Sequence, residues 1–275
     1  MPLVPLTPVL DAALSRGGAA LGMVCLSWED AEAFVAAGEA EGIPIILSAG
    51  PGARAAIPLR IWGEMFRTLA DQASIPVVAH LDHGHSLEDC ETALDAGFSS
   101  VMFDGSELPL DENIAITQKV VAMARQHGAS TEGEVGVVGY AGGTASNMTA
   151  AEDAARFASE TQVDCLAISI GNVHLTPDHS TPLNWDRLSD IRAATPVPLV
   201  IHGGSGVPPD NRARAARDFA VCKINLGTEI RQAYGSALRD VLANDDHIFD
   251  RLAIARGVRE TRAPFIQKLL RNAWA

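Results

Sequence analysis

The sequence has few basic residues, few cysteines and no long uninterrupted apolar segment. Its 21 lysines and arginines face 34 aspartates and glutamates, which gives a formal net charge of −13 over 275 residues. That balance argues against binding of a nucleic-acid duplex through a general basic surface. The four cysteines are scattered without a C-x-x-C pair, so the sequence predicts buried thiols in a reducing cytoplasm rather than a structural zinc knot.

The sequence also lacks signals for membrane insertion or export. No apolar stretch reaches the roughly 18 residues that a membrane span needs, and residues 1–4 show no basic region followed by an apolar one. Hydrophobic residues make up 47% of the chain and charged residues 20%, which excludes a disordered chain. We therefore expect a cytoplasmic globular protein with neither nucleic acid nor membrane as partner.

Short apolar runs recur along the chain, and most are continuous, as in parallel strands covered on both faces. They lie at residues 20–27, 43–49, 76–83, 99–106, 129–136, 165–172, 198–205 and 221–228. Alanine-rich stretches of helical period lie between them, for example at 28–41, 57–72, 113–127 and 150–161. Ser86 and Thr149 each precede acidic residues, as helix start signals do.

Eight strand-and-helix units predict an α/β fold, a single (β/α)8 TIM barrel that spans residues 1–275 with extra C-terminal helices. The rival architecture is a doubly wound sheet, which usually has a glycine-rich phosphate loop after its first strand. Here the first strand runs into Ser27-Trp28-Glu29-Asp30 instead, which favours the barrel.

Polar side chains collect at the carboxyl ends of the predicted strands, where barrel enzymes place their catalytic groups. In chain order they are Asp82, His83, Asp104, Glu132, Glu134, His174, His202 and Asn225. A single histidine at a strand end is more often a structural hydrogen-bonding residue than a ligand. Three at matching ends favour zinc or a similar divalent metal with a position open for substrate.

The other five histidines are interpreted as structural or surface residues, with one left open. His80 lies inside its strand, His179 in a proline-rich loop, and His127 and His247 on helices or the surface. His85 is close enough to the strand ends to remain undecided.

Glycines follow the seventh predicted strand in the segment I-H-G-G-S-G-V, residues 201–207. Glycines after a strand expose backbone N–H groups and let a phosphate approach closely. The next strand end, N-L-G-T at 225–228, supplies a second small polar turn, and phosphate sites at these two strand ends are common in barrels. The alternative is a simple βα turn; the neighbouring His202 favours phosphate.

Six ordered motifs together resemble those of the class II, metal-dependent ketose-bisphosphate aldolases, the fructose- and tagatose-bisphosphate enzymes. They are H-L-D-H-G at 80–84, A-G-F-S-S-V-M-F-D at 96–104, E-G-E-V-G at 132–136, G-N-V-H at 171–174, the glycine loop after His202, and K-I-N at 223–225. Together they extend over nearly the whole chain, so the resemblance is far more specific than one motif.

The resemblance implies a zinc-dependent aldolase that cleaves a phosphorylated ketose, such as fructose- or tagatose-1,6-bisphosphate, to dihydroxyacetone phosphate and an aldehyde. Such enzymes serve carbohydrate metabolism, including glycolysis, and commonly form homodimers or homotetramers. In this chemistry the metal stabilises the enediolate left by cleavage, without a lysine Schiff base.

The resemblance also implies a role for individual residues. His83, His174 and His202 would hold the catalytic Zn2+, and Asp104 and Glu134 match a nearby acidic site for a displaced or second divalent metal. Asp82 matches the catalytic acid/base, and Asn225 would orient the enediolate. Implied contacts to substrate or phosphate are Gly203, Ser205, Gly227, Thr228, Ser48 and Arg251, with a monovalent cation, Na+ or K+, beside the phosphate.

Four features depart from the family pattern. The loop 137–146 has no acid, although one carboxylate there normally moves the substrate's carbon proton; Tyr140 or a metal-bound water would have to replace it. Leu175 stands where glycine is usual, and Asp178 follows where some relatives have a lysine near phosphate. Gly227 occupies a position that is often polar. Arg251 follows Phe-Asp rather than Asp-Pro, and in relatives this arginine can reach a neighbouring subunit's distal phosphate.

Two alternatives to a ketose-bisphosphate aldolase follow from these departures. The first is a related metal-dependent carbon–carbon lyase or an epimerase, acting through an enediolate on a different sugar or sugar acid. The second is a non-catalytic sugar-phosphate sensor on the same barrel. Asp82 beside three histidines argues against the sensor, because binding alone has little need of an acid/base.

Overall fold

Eight parallel strands close into a barrel in the computed structural model, which describes residues 2–143 and 145–274. The barrel strands are β1 (Ala20–Val24), β2 (Ile45–Ala49), β3 (Val77–Gly84), β4 (Ser100–Phe103), β5 (Ser130–Val135), β7 (Cys165–Ile168), β9 (Leu199–Ile201) and β10 (Val221–Leu226). Sequence neighbours pair around the ring, and β1 with β10 completes it. Two short strands, β6 (Gly139–Tyr140) and β8 (Val173–His174), pair with each other outside the barrel. The predicted TIM barrel is confirmed.

Eleven α-helices surround the barrel in the described residues. They are α1 (Leu6–Ser15), α2 (Trp28–Glu41), α3 (Pro51–Ala56), α4 (Leu59–Gln72), α5 (Leu87–Asp95), α6 (Leu110–Gln126), α7 (Ala151–Thr161), α8 (Trp185–Ala194), α9 (Pro209–Phe219), α10 (Thr228–Asn244) and α11 (Arg251–Trp274). Helix α10 takes the eighth helical position of the barrel. Helix α11 is additional and packs on α2 and α10.

The amino-terminal end of the barrel is filled by apolar side chains and covered by α1. The strands contribute Ala20, Ile46, Val78, Met102, Cys165, Ala167, Val200 and Cys222 to this cluster. Four buried side chains of α1 pack against it, namely Leu6, Val9, Leu10 and Ala13. This end is therefore a packed core, and polar chemistry is left to the opposite end.

Helix starts follow the sequence signals in one predicted case and depart from them in another. The Ser86 hydroxyl accepts a hydrogen bond from the Asp89 N–H at the start of α5, as predicted. Helix α7 instead begins after Ala150, without a side-chain cap. The Thr149 hydroxyl donates to the Val135 carbonyl and accepts from the Ser169 N–H. Thr149 therefore joins two strand ends and does not cap the helix, which corrects that prediction.

The apolar stripe of the last helix packs on the parent barrel. Ile266 and Leu270 are buried in the main core, and Leu269 and Trp274 pack against it. All four cysteines are free and buried, as expected. No helix within the described ranges is both long and apolar enough to cross a membrane.

Candidate active site and metal centre

Three histidines converge at the carboxyl end of the barrel. His83 lies near the end of β3, His202 directly follows β9, and His174 lies in β8. One ring nitrogen from each lies within 4.8 Å of those of the other two, and the nearest pair, His83 Nε2 and His202 Nδ1, is 2.8 Å apart. His174 arrives on β8, outside the barrel, and not at the end of a barrel strand as the sequence suggested.

Carboxylates fix the orientation of two of these rings. His83 Nδ1 lies 2.7 Å from Asp104 Oδ2, and His202 Nε2 lies 2.8 Å from Glu132 Oε1. Each carboxylate holds a proton on the outer nitrogen, so His83 Nε2 and His202 Nδ1 face the shared centre. Metal-binding histidines in proteins are oriented in this way.

The backbone at His83 is held in an unusual conformation by Arg54. The φ angle of His83 is +52°, a left-handed conformation that costs energy for a residue with a Cβ. The Arg54 guanidinium donates to the carbonyls of Asp82 at 2.7 Å and His83 at 2.9 Å. These bonds fix the segment that presents both side chains. Sequence reasoning missed Arg54, because no local motif links it to β3.

The pKa values of the three imidazoles differ, so that His83 alone of the three is cationic at neutral pH. Burial favours the neutral form of His83, but its hydrogen bond to Asp104 and the nearby charges of Asp82 and Glu134 raise its pKa to about 10. Burial and the charge on His83 lower the pKa of His174 to about 3 and lower that of His202 as well. Protonated His83 thus donates through Nε2 to neutral His202, at the point where a metal would bind.

A second group of ligand atoms adjoins the first. His83, Asp104 and Glu134 bring one ligand atom each within 4.8 Å of one another. Glu134 Oε2 is buried and has no hydrogen-bond partner among the described residues, and burial together with the charge of Asp104 raises the pKa of Glu134 well above its usual range. A buried carboxylate oxygen in this position fits a cation. The donor sets of both groups therefore fit divalent metals.

Asp82 and Asn225 lie beside the histidines, at the ends of β3 and β10. Asn225 Nδ2 donates to Asp82 Oδ1 at 2.9 Å. Burial opposes ionisation of Asp82, yet the charges of His83 and Lys223 keep its pKa below the ordinary value. Asp82 is thus an ionised carboxylate suited to accept a proton. Gly22 makes room for the amide, since a Cβ there would lie 2.2 Å from Asn225 Oδ1.

A cleft of about 330 Å³ joins these groups to the glycine loop. Asp82, Asn225 and the three histidines line it, together with four of the predicted phosphate contacts, Gly203, Ser205, Gly227 and Thr228. The Ser205 hydroxyl accepts hydrogen bonds from the backbone N–H groups of Gly227 and Glu229. It thereby connects the glycine loop to the start of α10.

Two other predicted contacts lie elsewhere. Ser48 is buried in β2 at the register position of His80, and its hydroxyl has no hydrogen-bond partner in the described part of the chain. It does not line the cleft. The Arg251 side chain is 91% exposed and its nearest acidic partner is Glu29 at 4.0 Å, so it takes no part in the cleft of its own chain.

Tyr140 comes from the loop that lacks an acidic residue. Its ring stacks on that of His174, with centroids 4.9 Å apart. It lines both the main cleft and a neighbouring cavity of about 420 Å³ that contains Asp104, Glu134 and His85. Tyr140 therefore borders both the main cleft and the cavity that contains the acidic group of ligand atoms.

A buried polar network lies beneath the histidines, and Glu132 alone of its members was among the predicted strand-end side chains. Lys223 Nζ lies 2.7 Å from Glu132 Oε2 and 3.2 Å from His80 Nε2, and all three side chains are fully buried inside the barrel. Through Glu132 the network reaches His202. The sequence signal for this network is a charged residue on each of β5 and β10, two positions before Glu134 and Asn225.

Comparisons with known proteins agree with this arrangement. The model of the family described as fructose-bisphosphate aldolase class-II matches residues 4–273. The chain is 38% identical to a 6-phospho-5-dehydro-2-deoxy-D-gluconate aldolase of Shouchella clausii, over 98% of this chain and 94% of that protein. It is 36% identical to a fructose-bisphosphate aldolase of Geobacillus stearothermophilus, over 98% of this chain and 96% of that protein.

Among solved structures, the YdjI aldolase of Escherichia coli K12 superposes with a TM-score of 0.87 at 29% sequence identity, covering 98% of this chain and 97% of that one.

Proposed function

The chain belongs to the class II fructose-bisphosphate aldolase family, and on that premise we propose that it cleaves a phosphorylated ketose to dihydroxyacetone phosphate and an aldehyde, with zinc held by His83, His174 and His202. It is an aldolase, a carbon–carbon lyase, of a metal-dependent family. One observation carries the proposal: three imidazoles converge on a single point with the ionised Asp82 beside them in one cleft.

The metal would act on the substrate's carbonyl and hydroxyl oxygens. When bound, it supplies the positive charge that stabilises the enediolate formed on cleavage. Asp104 and Glu134 would hold a second or displaced divalent ion, since Glu134 presents a buried oxygen without a hydrogen-bond partner.

Asp82 is the base in the cleavage direction. It takes the proton from the hydroxyl group on the carbon beta to the ketone, the bond between that carbon and the alpha carbon breaks, and the electron pair forms the enediolate. Condensation reverses these steps, and Asp82 returns the proton. Asn225, already bonded to Asp82, fixes the carboxylate and orients the enediolate oxygens.

Protonation of the enediolate carbon completes the formation of dihydroxyacetone phosphate. Tyr140 lines the cleft against His174, which supports its phenol as the donor of this proton. Burial and the surrounding carboxylates raise the pKa of Tyr140, which keeps the phenol protonated at neutral pH.

A sugar acid is the second candidate substrate. The 38% identical relative is named for 6-phospho-5-dehydro-2-deoxy-D-gluconate, a compound with a ketone beside its phosphate-bearing carbon. The same cleavage would release the same phosphorylated three-carbon fragment, and the far end would carry a carboxylate in place of a second phosphate. The identity to this relative extends over 98% of this chain, which supports the sugar acid as a candidate.

The test is release of dihydroxyacetone phosphate from fructose-1,6-bisphosphate, tagatose-1,6-bisphosphate and 6-phospho-5-dehydro-2-deoxygluconate, before and after chelation. We expect chelator-sensitive release that Zn2+ restores more fully than Co2+ or Mn2+. Solvent exchange of enolisable protons without release of any fragment would contradict the proposal and favour an epimerase.

Asp82→Asn provides the matched variant. Asparagine keeps the size of the side chain and the oxygen that Asn225 contacts, but it cannot accept the hydroxyl proton. We expect kcat to fall by about 100-fold or more while metal content, measured by atomic absorption, is unchanged. Retained turnover in Asp82→Asn would show that another group is the base. If the wild type is inactive and Asp82→Asn binds the ligand as tightly as the wild type does, the result would favour a sensor. The homodimer or homotetramer stays a prediction, to be tested by light scattering.

A further inference from the structure

An arginine without a carboxylate partner lies at the end of the cleft that carries the glycine loop. Arg231 is in the first turn of α10 and lines the cleft with Ser205, Gly227 and Thr228. Its guanidinium makes one hydrogen bond among the described residues, from Nη2 to Thr228 Oγ1 at 3.3 Å. Arg231 is partly buried, so its charge has lost part of its hydration without gaining an anionic neighbour.

Other buried arginines of this chain are compensated. Arg212 Nη1 lies 2.7 Å from Glu229 Oε1, and Arg262 Nη1 lies 2.6 Å from Asp30 Oδ1. For Arg231, burial lowers the pKa and no acidic side chain offsets that effect. A guanidinium in this state is poised to gain from an anion that enters the cleft, because such a ligand supplies the missing charge.

Gly227 gives the guanidinium its position. A Cβ at residue 227 would lie 3.1 Å from Arg231 Nη1 and 3.4 Å from Nη2, so a larger side chain there would displace the arginine. The glycine that departs from the family pattern thus allows Arg231 to lie over the start of α10, next to the N–H groups joined by Ser205.

The cleft has no cation at the position where relatives carry a lysine. Asp178 stands there, and its carboxylate is exposed, accepts a hydrogen bond from Ser180 and does not line the cleft. The acid is therefore directed away from the site, and the positive charge at the glycine-loop end comes from α10 instead.

We propose that Arg231 binds directly the substrate phosphate group that lies at the glycine-loop end of the cleft. The inference rests on the proposed function for the identity of the substrate. Guanidinium groups bind phosphate through two parallel N–H···O bonds, and the backbone N–H groups of the glycine loop would meet the remaining oxygens.

Arg231→Ala, Arg231→Gln and Arg231→Lys test the proposal in the full-length, metal-loaded protein. We expect the KM for the cleaved sugar phosphate to rise on the order of 10- to 100-fold in the alanine and glutamine variants, with kcat changed far less. The inhibition constant of inorganic phosphate should rise by a similar factor. Lysine should recover part of the loss, since it restores charge but not the paired donors.

Arg239→Ala is the matched control, because Arg239 is an exposed arginine two turns further along the same helix. It should leave KM and phosphate inhibition at wild-type values. Sodium acetate at equal ionic strength controls for a general anion effect. Metal content and melting temperature exclude a folding defect, and Arg231→Gln serves if the alanine variant is unstable.

Calorimetric titration with inorganic phosphate separates this proposal from the proposed function, because it needs no turnover. Suppose that the wild type binds phosphate but cleaves no sugar phosphate, and that Arg231→Ala loses phosphate binding. That result would support the arginine site and contradict the aldolase substrate. Wild-type phosphate affinity in both Arg231→Ala and Arg231→Gln would overturn the arginine site, whatever the activity.

Discussion

Leu175 is held in a backbone conformation that suits glycine. Its φ angle is +60°, and its side chain is 54% exposed at the edge of the cleft, directly after the candidate ligand His174. Left-handed backbone costs about 1–2 kcal/mol for a residue with a Cβ. Glycine would avoid this cost, so this chain has a strained residue beside its candidate metal centre.

Leu175→Gly should therefore stabilise the protein. Removing the Cβ relieves the left-handed strain, and the greater freedom of glycine in the unfolded chain offsets part of that gain. We expect the free energy of unfolding, measured in urea, to rise by about 0.5–1 kcal/mol. Leu175→Ala is the control, because it removes the bulk of the side chain but keeps the Cβ. An equal rise in the free energy of unfolding in both variants would show that the destabilisation comes from the exposed leucine side chain and not from the backbone conformation.

At the scale of elements, β5 and β10 are coupled through a buried ion pair. Glu132 on β5 contacts Lys223 on β10 with one oxygen and His202 with the other. The charges of Lys223 and His80 and the hydrogen bond from His202 overcome burial and hold the pKa of Glu132 well below its usual range. Glu132 therefore has two separable roles: it neutralises a buried lysine and it orients a candidate metal ligand.

Two variants separate these roles. Glu132→Leu leaves Lys223 buried without its counter-ion, and should lower the free energy of unfolding by about 3–5 kcal/mol. The double variant Glu132→Leu with Lys223→Met removes both charges and should regain most of that stability. Zinc affinity, measured by competition with a chromophoric chelator, should stay about 10- to 100-fold weaker in both. Wild-type zinc affinity in the double variant would limit Glu132 to charge neutralisation.

The sequence predicted the barrel and its strand order more completely than the ends of its strands. The predicted runs 20–27 and 221–228 extend past β1 and β10, which end at Val24 and Leu226. Apolar periodicity cannot mark where a parallel ladder stops, because apolar residues such as Cys25 and Leu26 continue past the last paired residue of β1. Helix α1 was not predicted either, because its ten residues precede the first strand and carry no motif of the barrel.

The residues of the candidate site likewise fall into those that the sequence predicted and those that it did not. Histidines and acids with spaced motifs could be identified from the sequence and do lie together. Arg54 and Lys223 were not predicted, and Glu132 was predicted only as a strand-end acid without a partner. Their partners lie 28 to 91 residues away and depend on which strand faces meet inside the barrel. Arg231 has only a local helical context, and its lack of a carboxylate partner is a three-dimensional property.

For the whole molecule, metal binding and pH should be linked. His83 with a pKa of about 10 carries a proton at neutral pH, whereas His174, with a pKa of about 3, is already neutral. A metal held by His83 would have to replace the Nε2 proton. Binding therefore releases about one proton near pH 8, and affinity weakens as the pH falls because protons compete for the same nitrogen.

Calorimetric titration of zinc into the metal-free protein checks this linkage. In buffers of different ionisation enthalpy, the apparent heat should change with a slope of about one proton released per zinc. Asp104→Asn removes the carboxylate that holds the His83 proton, and should reduce the release well below one. A slope of zero in the wild type would show that His83 is neutral before metal binds.

Helix α1, which covers the amino-terminal end of the barrel, also determines the end from which ligands can enter and leave. Since Leu6, Val9, Leu10 and Ala13 close one end of the barrel, a substrate can reach the candidate site only from the opposite end. Under the proposed function, both products would leave by that same end. Dihydroxyacetone phosphate, held by the glycine loop and Arg231, would then be released after the aldehyde and would act as a competitive inhibitor of substrate binding.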